Sequence, residues 1–399
     1  MRPGTPGFVP ERLVEAREAR GLATQLALAS LVGKPRSTIS RWELGEATPE
    51  PEALDLLARQ LNVRRSHLLR PVPKHGDGAF FFRARKSVEK DIRASERARL
   101  QWVQDISLVL QHYYDFPKYD VPDLLNGESY RSLRDEDFER IALELRRHWN
   151  LGEGPVASVI AVLEARGFVV AYDEVGSARL DGLCRWSEVD RRPYVLLAKD
   201  KRSFFRTQMD AAHEMAHAIL HRGVDQDGLE KDFDLIETQA FRLASAFLMP
   251  STTFPMEARY PTLSGLLSLK ERWRVSVKAM IKRCSDLAIL SDTATTQLYK
   301  HYSAKGWNRG EPMDQGYPVD EPKLLAKAIR GLVESGVRSK RDLLETEFTI
   351  PAVDVEQLTA LPSGWFDLGG EVIPLELTMR KQQPGGGEIV PFPSPSRRA

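Results

Sequence analysis

The chain has 399 residues, of which 42% are hydrophobic and 28% charged, and its 57 basic and 56 acidic residues leave a formal net charge of +1. This length predicts roughly two to four domains, and the composition excludes a largely disordered chain. No segment approaches the ~18 consecutive apolar residues of a membrane span, the first residues lack the apolar core of a signal peptide, and Cys184 and Cys284 form no CxxC motif, so we expect a reduced, cytoplasmic protein that is not bound to a membrane.

The first predicted elements are short helices over residues 11–69. Apolar residues recur at helical spacing, Gly33 is expected to end one helix, and the next is expected to begin near Arg36. Two helices joined by a glycine turn are typical of a helix-turn-helix unit, whose second helix enters the major groove of DNA. A small helical domain with no role in DNA binding would show the same periodicity.

The residue types favour DNA binding. The pattern Thr24-Gln25-x-x-Leu28-Ala29-x-x-x-Gly33-x-x-x-Ser37-Thr38-Ile39-Ser40-Arg41-Trp42 resembles the lambda-repressor-like (Xre-type) helix-turn-helix family. The resemblance implies a double-stranded DNA operator as partner, with Ile39 and Trp42 in the core. It also implies a set of DNA-binding residues: Gln25, Arg36, Ser37, Thr38 and Arg41. In this set the arginines would bind guanine bases and the glutamine would bind a phosphate.

A basic segment follows this unit. Residues 64–99 hold 11 Lys or Arg against 4 Asp or Glu, a local net charge of +7 (11 − 4). Such a segment either contacts phosphate or is a solvated helix face. Phe80, Phe81 and Phe82 lie within it, and we interpret them either as stacking faces for single-stranded DNA or as a plug between domains. A long helix to about Tyr114 and a helix over residues 135–149 are predicted next.

From about residue 156 helical and strand patterns alternate. Residues 156–166 predict a helix, residues 168–172 and 194–198 are rich in strand-forming side chains, and residues 180–186 resemble a hairpin that enters a third strand. Further helical patterns cover residues 202–222, 235–248, 262–290 and 322–335, with strand-like pieces after them. The segment 262–290 is either a second helix-turn-helix-like unit or a packing subdomain.

The most specific motif lies in the helix predicted over residues 202–222, where the sequence reads His213-Glu214-Met215-Ala216-His217. An HExxH motif is expected by chance only about 0.01 times in a chain of this composition. Residues four apart on a helix differ by about 40° in direction, so both histidines can offer a nitrogen to one ion. We predict a Zn²⁺ site with Glu214 as the catalytic base; histidines that merely fill a core helix are the alternative.

A hydrolytic zinc site usually takes three protein ligands. His221 lies one turn further on, but three ligands on successive turns would spread over about 12 Å. A carboxylate on the next helix is a better choice. Glu237 is expected to share a face with Ala240 and Ala244, which are small enough to let two helices approach, so we predict Glu237 as third ligand and Asp234 as second choice.

These residues carry a broader resemblance. His213-Glu-x-x-His217 followed by Glu237-x-x-Ala240-x-x-x-Ala244-x-x-x-Leu248-Met-Pro250 resembles the ImmA/IrrE family of metallopeptidases. With the helix-turn-helix, the chain resembles the fused form of that family over about residues 11–315. The resemblance implies zinc-dependent cleavage of a partner repressor or antitoxin-like protein, in response to DNA damage or mobile-element cues.

The predicted architecture is mainly α with a small β-sheet (α+β). We expect a five-helix helix-turn-helix domain over residues 1–70, a linker and helical connector over 71–155, and a zincin-like metallopeptidase domain with a helical subdomain over 156–315. A C-terminal α/β extension of unknown role over 316–383 and a disordered tail over 384–399 complete it.

Two functions remain open at this point. The first is a DNA-binding zinc endopeptidase whose cleavage is governed by nucleic acid, since a DNA-reading domain can raise the local concentration of a substrate. The second is an Xre-family transcriptional regulator whose zinc domain is sensory or structural. Cys184 is expected to be a buried strand residue, with a thiolate that masks the zinc as the alternative. The sequence also allows a homodimer.

Overall fold

The computed structural model describes residues 4–84, 90–174, 180–199 and 203–367. Helices dominate these residues, and the strands among them form one four-stranded sheet, so the predicted α+β class is confirmed. Arg85, Lys86, the strand-like residues 368–383 and the tail 384–399 lie outside the described residues.

The N-terminal segment forms the predicted helix-turn-helix layout. Thr24 caps the second helix by accepting a hydrogen bond of 3.1 Å from the Ala27 N–H, and Gly33 ends that helix in the left-handed conformation at φ 64°. The expected fifth helix is one 3₁₀ segment. The elements are α1 (Pro10–Ala19), α2 (Gln25–Val32), α3 (Arg36–Glu43), α4 (Pro51–Gln60) and the 3₁₀ helix Arg65–Leu69.

The central part contains the sheet, ten α-helices and one 3₁₀ helix within the described ranges. The helical pattern predicted over residues 262–290 is two helices, because Arg274 adopts the left-handed conformation between them. The elements are β1 (Phe81–Ala84), α5 (Lys90–Leu110), the 3₁₀ helix Tyr130–Ser132, α6 (Asp135–His148), α7 (Val159–Ala165), β2 (Val169–Asp173), β3 (Leu180–Ser187), β4 (Arg192–Ala198), α8 (Phe204–Leu220), α9 (Gln226–Lys231), α10 (Phe233–Leu248), α11 (Phe254–Glu257), α12 (Leu263–Trp273), α13 (Val277–Asp286) and α14 (Asp292–Ala304).

The sheet has the order β1-β3-β4-β2, with β2 parallel to β4 and the other pairs antiparallel. Both faces are covered, which explains why the parallel strands β2 and β4 are rich in consecutive apolar residues. Val170 and Val195 face the core around α8, whereas Val169 and Leu196 face the core that includes α5 and the N-terminal helices. The three predicted strands are confirmed, and β1 is a fourth that the sequence did not predict.

The C-terminal segment is helical as far as residue 367. Its elements are α15 (Leu324–Glu334), α16 (Lys340–Asp342), which continues as a π-helical turn over Leu343–Glu347, and α17 (Ala352–Leu358). The strand-like pieces expected in this segment are absent from residues 336–367, all of which the structure describes.

A buried ion network joins this segment to the rest of the chain. Asp354 of α17 binds Arg20 at the end of α1 at 2.7 Å and Arg99 of α5 at 3.0 Å. The Arg99 guanidinium also binds Asp173, the last residue of β2, and Gln357 donates to the same carboxylate at 2.7 Å. The C-terminal helices thus connect the helix-turn-helix to the sheet.

No helix within the described ranges is both long enough and apolar enough to cross a membrane.

We expect the Asp354→Ala variant to lose about 3 kcal/mol of unfolding free energy, because the substitution removes one partner from a buried ion network. Urea denaturation followed by circular dichroism would measure the loss. Asp55→Ala is the matched control: Asp55 pairs with Arg65 at 3.1 Å, but both side chains are more than 40% exposed, so less than about 1 kcal/mol should be lost. Equal stability of the two variants would contradict a bracing role for Asp354.

Candidate metal centre and DNA interface

Helix α8 lies between the sheet and α10 and is buried on almost every side. His213, Glu214 and His217 of this helix and His221 directly after it are each no more than 2% exposed. Burying polar groups is costly unless they find hydrogen-bond or metal partners. The burial of four polar side chains here therefore indicates a functional site within the core.

His213, His217 and Glu237 meet at one point between α8 and α10. The Nε2 atoms of the two histidines are 3.0 Å apart, and the carboxylate oxygens of Glu237 lie 3.5 Å from His213 Nε2 and 3.3 Å from His217 Nε2. Within the described ranges these residues form a group of potential metal ligands whose donor atoms all lie within 4.8 Å of one another. The structure brings together the three residues predicted as ligands.

The donor set fits a zinc ion. Ligand atoms about 2.1 Å from one ion at tetrahedral angles lie about 3.4 Å apart, close to the 3.0, 3.3 and 3.5 Å found here. Two imidazoles and one carboxylate also form a ligand set used by hydrolytic zinc enzymes, which keeps one coordination position open. The side chain of Glu237 is 23% exposed, so the group is not sealed from solvent.

The charge state of Glu237 suits a ligand. Burial favours the neutral carboxyl, but hydrogen bonds from His213 and His217 outweigh burial and hold the pKa of Glu237 well below its usual range. The other two candidates for the third ligand lie elsewhere. Asp234 is exposed at the start of α10, and His221 contacts Nδ1 of His217, on the far side of that ring from the ligand group. The assignment of ligands stays a prediction, and this geometry favours Glu237.

A hydrogen-bonded relay orients the His217 ring. The Gln239 amide donates to the Tyr130 carbonyl at 2.6 Å, so its Oε1 is free to accept the His221 Nε2–H at 3.0 Å. Burial, and then the neighbouring His217, lower the pKa of His221 to about 3. A neutral His221 therefore accepts at Nδ1, 3.2 Å from His217 Nδ1, so that the Nε2 lone pair of His217 would face a metal ion that takes the place of the Nε2 proton shared with Glu237.

The spacing along α8 excludes His221 from the ligand set but does not indicate its partner. Gln239 lies two residues after Glu237 on α10. Nothing in the local sequence marks Gln239, because its importance comes from the approach of α10 to α8.

Glu214 lies against the backbone of β3. A side chain at Gly182 would place its Cβ 3.1 Å from Glu214 Oε1 and 3.2 Å from the Leu196 carbonyl oxygen, closer than side chains normally pack. Glycine at this position therefore leaves room for the carboxylate. Cys184, two residues further along β3, is 1% exposed, and burial, reinforced by the Glu214 carboxylate, raises the pKa of its thiol. Cys184 is thus the buried strand residue that we expected.

The proposed recognition helix presents its predicted contact residues outward. Arg36, Ser37 and Arg41 of α3 are exposed, Thr38 is half-buried, and Ile39 and Trp42 are buried in the core as expected.

Gln25 at the start of α2 is held against α3. Its amide donates to Glu43 at 3.0 Å, and Glu43 also accepts from Arg17 at 2.6 Å. This contact joins the start of α2 to the end of α3, and the phosphate-binding role of Gln25 stays a prediction.

The three phenylalanines divide between the two faces of the sheet. Phe81 is 3% exposed and lies on the side of the metal centre. Phe80 lies under the guanidinium of Arg185 at 4.2 Å, and Phe82 lies 5.8 Å from that of Arg93. Phe81 therefore packs beside the metal centre, whereas the other two rings are partly covered by arginine; the choice between a plug between domains and stacking faces for DNA stays a prediction.

We expect the His213→Ala and Glu237→Ala variants to lose stoichiometric zinc, because each removes a ligand. His221→Ala should weaken the binding of Zn²⁺ or Co²⁺ by about 10–100-fold, because loss of the relay frees the His217 ring. The measurement is metal content after gel filtration, with competitive chelator titration and Co²⁺ absorption spectra for the affinity.

Asp234→Ala, which changes an exposed acid of the same helix, should bind zinc as the unaltered chain does. If this control loses the metal, or if Glu237→Ala retains it fully, Asp234 rather than Glu237 is the third ligand.

Two family models match the chain. Residues 13–68 match a helix-turn-helix family, and residues 163–285 match a peptidase family described as the IrrE N-terminal-like domain. A comparison with curated proteins gives no match. The first match contains the recognition helix, and the second contains β2 to β4 together with α8 and α10. The chain therefore joins an N-terminal helix-turn-helix domain of the Xre type to a metallopeptidase domain of the IrrE/ImmA kind.

Proposed function

We propose that this protein is a DNA-binding, zinc-dependent endopeptidase that cleaves a partner regulatory protein. The partner would be a repressor or antitoxin-like regulator, cleaved in a stress, DNA-damage or mobile-element response. One observation carries the proposal: the donor atoms of His213, His217 and Glu237 lie within 3.5 Å of one another. The buried carboxylate of Glu214 follows His213 on α8.

The residues of the chain divide the work of peptide hydrolysis. A zinc ion, when bound, polarises the scissile carbonyl and lowers the pKa of the attacking water towards ~7. His213, His217 and Glu237 hold the ion, and the relay through His221 keeps His217 in the tautomer that can do so. Glu214 accepts the proton of the attacking water and passes it to the leaving amine.

The helix-turn-helix supplies the location of the reaction. Binding to an operator brings the peptidase domain to proteins on or near the same DNA, which raises their effective concentration.

The same proposal includes domain divisions near residues 70, 155 and 315, a cytoplasmic location, a homodimer, and contact of single-stranded DNA with the basic segment over residues 64–99.

The first test changes the proposed base. Glu214→Gln should retain zinc and lose turnover by about 10²–10⁴-fold, because an amide cannot accept the proton. The assay incubates the zinc-loaded protein with purified repressors encoded by neighbouring genes and identifies fragments by mass spectrometry. Glu230→Gln, an exposed substitution of the same type on α9, should cleave normally.

The alternative, a regulator with a sensory or structural zinc domain, predicts a different result. If Glu214→Gln leaves the regulation of neighbouring genes unchanged in cells, proteolysis is dispensable and the alternative is correct.

The second test changes the recognition helix. Arg36→Ala and Arg41→Ala should each weaken binding to duplex DNA by ~1–3 kcal/mol and relax the sequence preference, because an arginine fork that reads a base is lost. Anisotropy titrations with the operator and with scrambled duplexes measure both effects. Arg59→Ala removes a charge that is also exposed, from α4; if it has the same effect, general electrostatics rather than base reading accounts for the loss.

A further inference from the structure

The strand β1 occupies the edge of β3 that passes beside the metal centre. The two strands are antiparallel, with Phe81 opposite Cys184, Phe82 opposite Leu183 and Arg83 opposite Gly182. Gly182 is the residue whose missing side chain leaves room for the Glu214 carboxylate. The backbone of β1 therefore runs next to the proposed catalytic base.

The Phe81 side chain fills an apolar pocket beside the three proposed ligands. Its ring stacks on the His217 ring, with centroids 4.8 Å apart and planes 13° from parallel. The pocket wall comes from the loop after α8 and from α9 and α10, and its buried members form a cluster separate from the two large cores. They are Val224, Leu229 and Ile236, with Tyr130 and Phe233 at the rim, and Ala79 joins the cluster from the same segment as Phe81.

The attachment of β1 to the sheet is slight. The strand has four residues, and its register with β3 shifts between Arg83 and Ala84. It has one neighbouring strand, β3, because it lies at the edge of the sheet. Short edge strands open locally at a fraction of the global unfolding free energy, so the edge of β3 can become free while the fold persists.

We propose that the edge of β3 is the docking site for an extended segment of the protein substrate, and that β1 is its intramolecular stand-in. Such a segment would add to β3 as an antiparallel strand through main-chain hydrogen bonds and place a large apolar side chain, preferably aromatic, in the pocket that Phe81 fills. Substrate and β1 exclude each other. This inference rests on the proposed peptidase function and adds to it the substrate class and a requirement for displacement of β1.

The first test measures docking without cleavage, in the full-length Glu214→Gln protein. The probe is a fluorescent peptide with the sequence of residues 78–84 and two added lysines. Phe81→Ser should bind it more than about tenfold tighter than the parent protein, because the resident strand competes less well for the edge. Phe82→Ser, the same change on the other sheet face, is the control and should show a much smaller gain.

A second peptide should fail to bind, because its serine replaces the phenylalanine that corresponds to Phe81 and leaves the pocket empty. Binding of this peptide as tight as that of the first, or equal binding of the first peptide by all three proteins, would overturn the proposal.

The second test locks β1 in place. Phe82 and Leu183 are opposite one another, so Phe82→Cys with Leu183→Cys can form a disulfide across the β1–β3 pair. Oxidation should abolish cleavage of any repressor that the reduced form of this variant cuts. Leu183→Cys with Leu196→Cys is the matched control, since this pair joins β3 to β4, and its cleavage should not change on oxidation.

The outcomes separate the two ideas. A locked protein that cleaves as fast as its reduced form shows that β1 is a fixed wall and overturns the inference while the peptidase function stands. If no form of the protein cleaves any repressor, the proposed function fails, and the peptide titrations still decide whether the edge of β3 accepts a second strand.

Discussion

The close approach of α8 and α10 is the constraint on which the functional centre depends. It brings the Glu237 carboxylate to two histidines that α8 presents one turn apart, and it is allowed by Ala240 and Ala244, both fully buried. Larger side chains at those two positions would separate the helices and move the carboxylate away from the imidazoles. The sheet on one side of α8 and α10 on the other then exclude water from most of the site, which strengthens every electrostatic contact within it.

A second constraint connects the N-terminal helices to the helices near residue 354. Asp354 attracts Arg20 from the helix-turn-helix and Arg99 from α5, and Arg99 also binds Asp173 at the end of β2. Because these carboxylates are buried, they are stable only while both guanidinium groups are in place. The C-terminal helices, for which the sequence suggested no role, therefore act as a brace, and the N-terminal helices share a continuous apolar core with one face of the sheet.

The segment between the DNA-binding unit and the peptidase domain has a more specific place than a linker. It leaves the 3₁₀ helix Arg65–Leu69, enters the sheet as β1 and inserts Phe81 against His217. Covalent continuity makes the position of β1 sensitive to whatever moves the residues on either side of it. In the proposed function this continuity connects DNA binding to access to the metal centre. One end of the segment is attached to the helix-turn-helix, which would bind DNA, and the other to the peptidase domain, which would bind the protein substrate.

The sequence by itself determined the features that depend on local spacing. Four residues make one helical turn, so His213 and His217 had to share a face, and Thr24 and Gly33 are the residue types that begin and end a helix. The small residues Ala240 and Ala244 pointed to Glu237 in the same way. Tertiary structure alone decided the rest. Three consecutive phenylalanines show no alternation, so β1 became a strand only because a distant edge was open to it. The Asp354 partners Arg20 and Arg99 are remote in sequence, and the contact of His221 with Gln239 arises from the packing of α10 on α8. No local sequence pattern records contacts formed by the packing of whole helices.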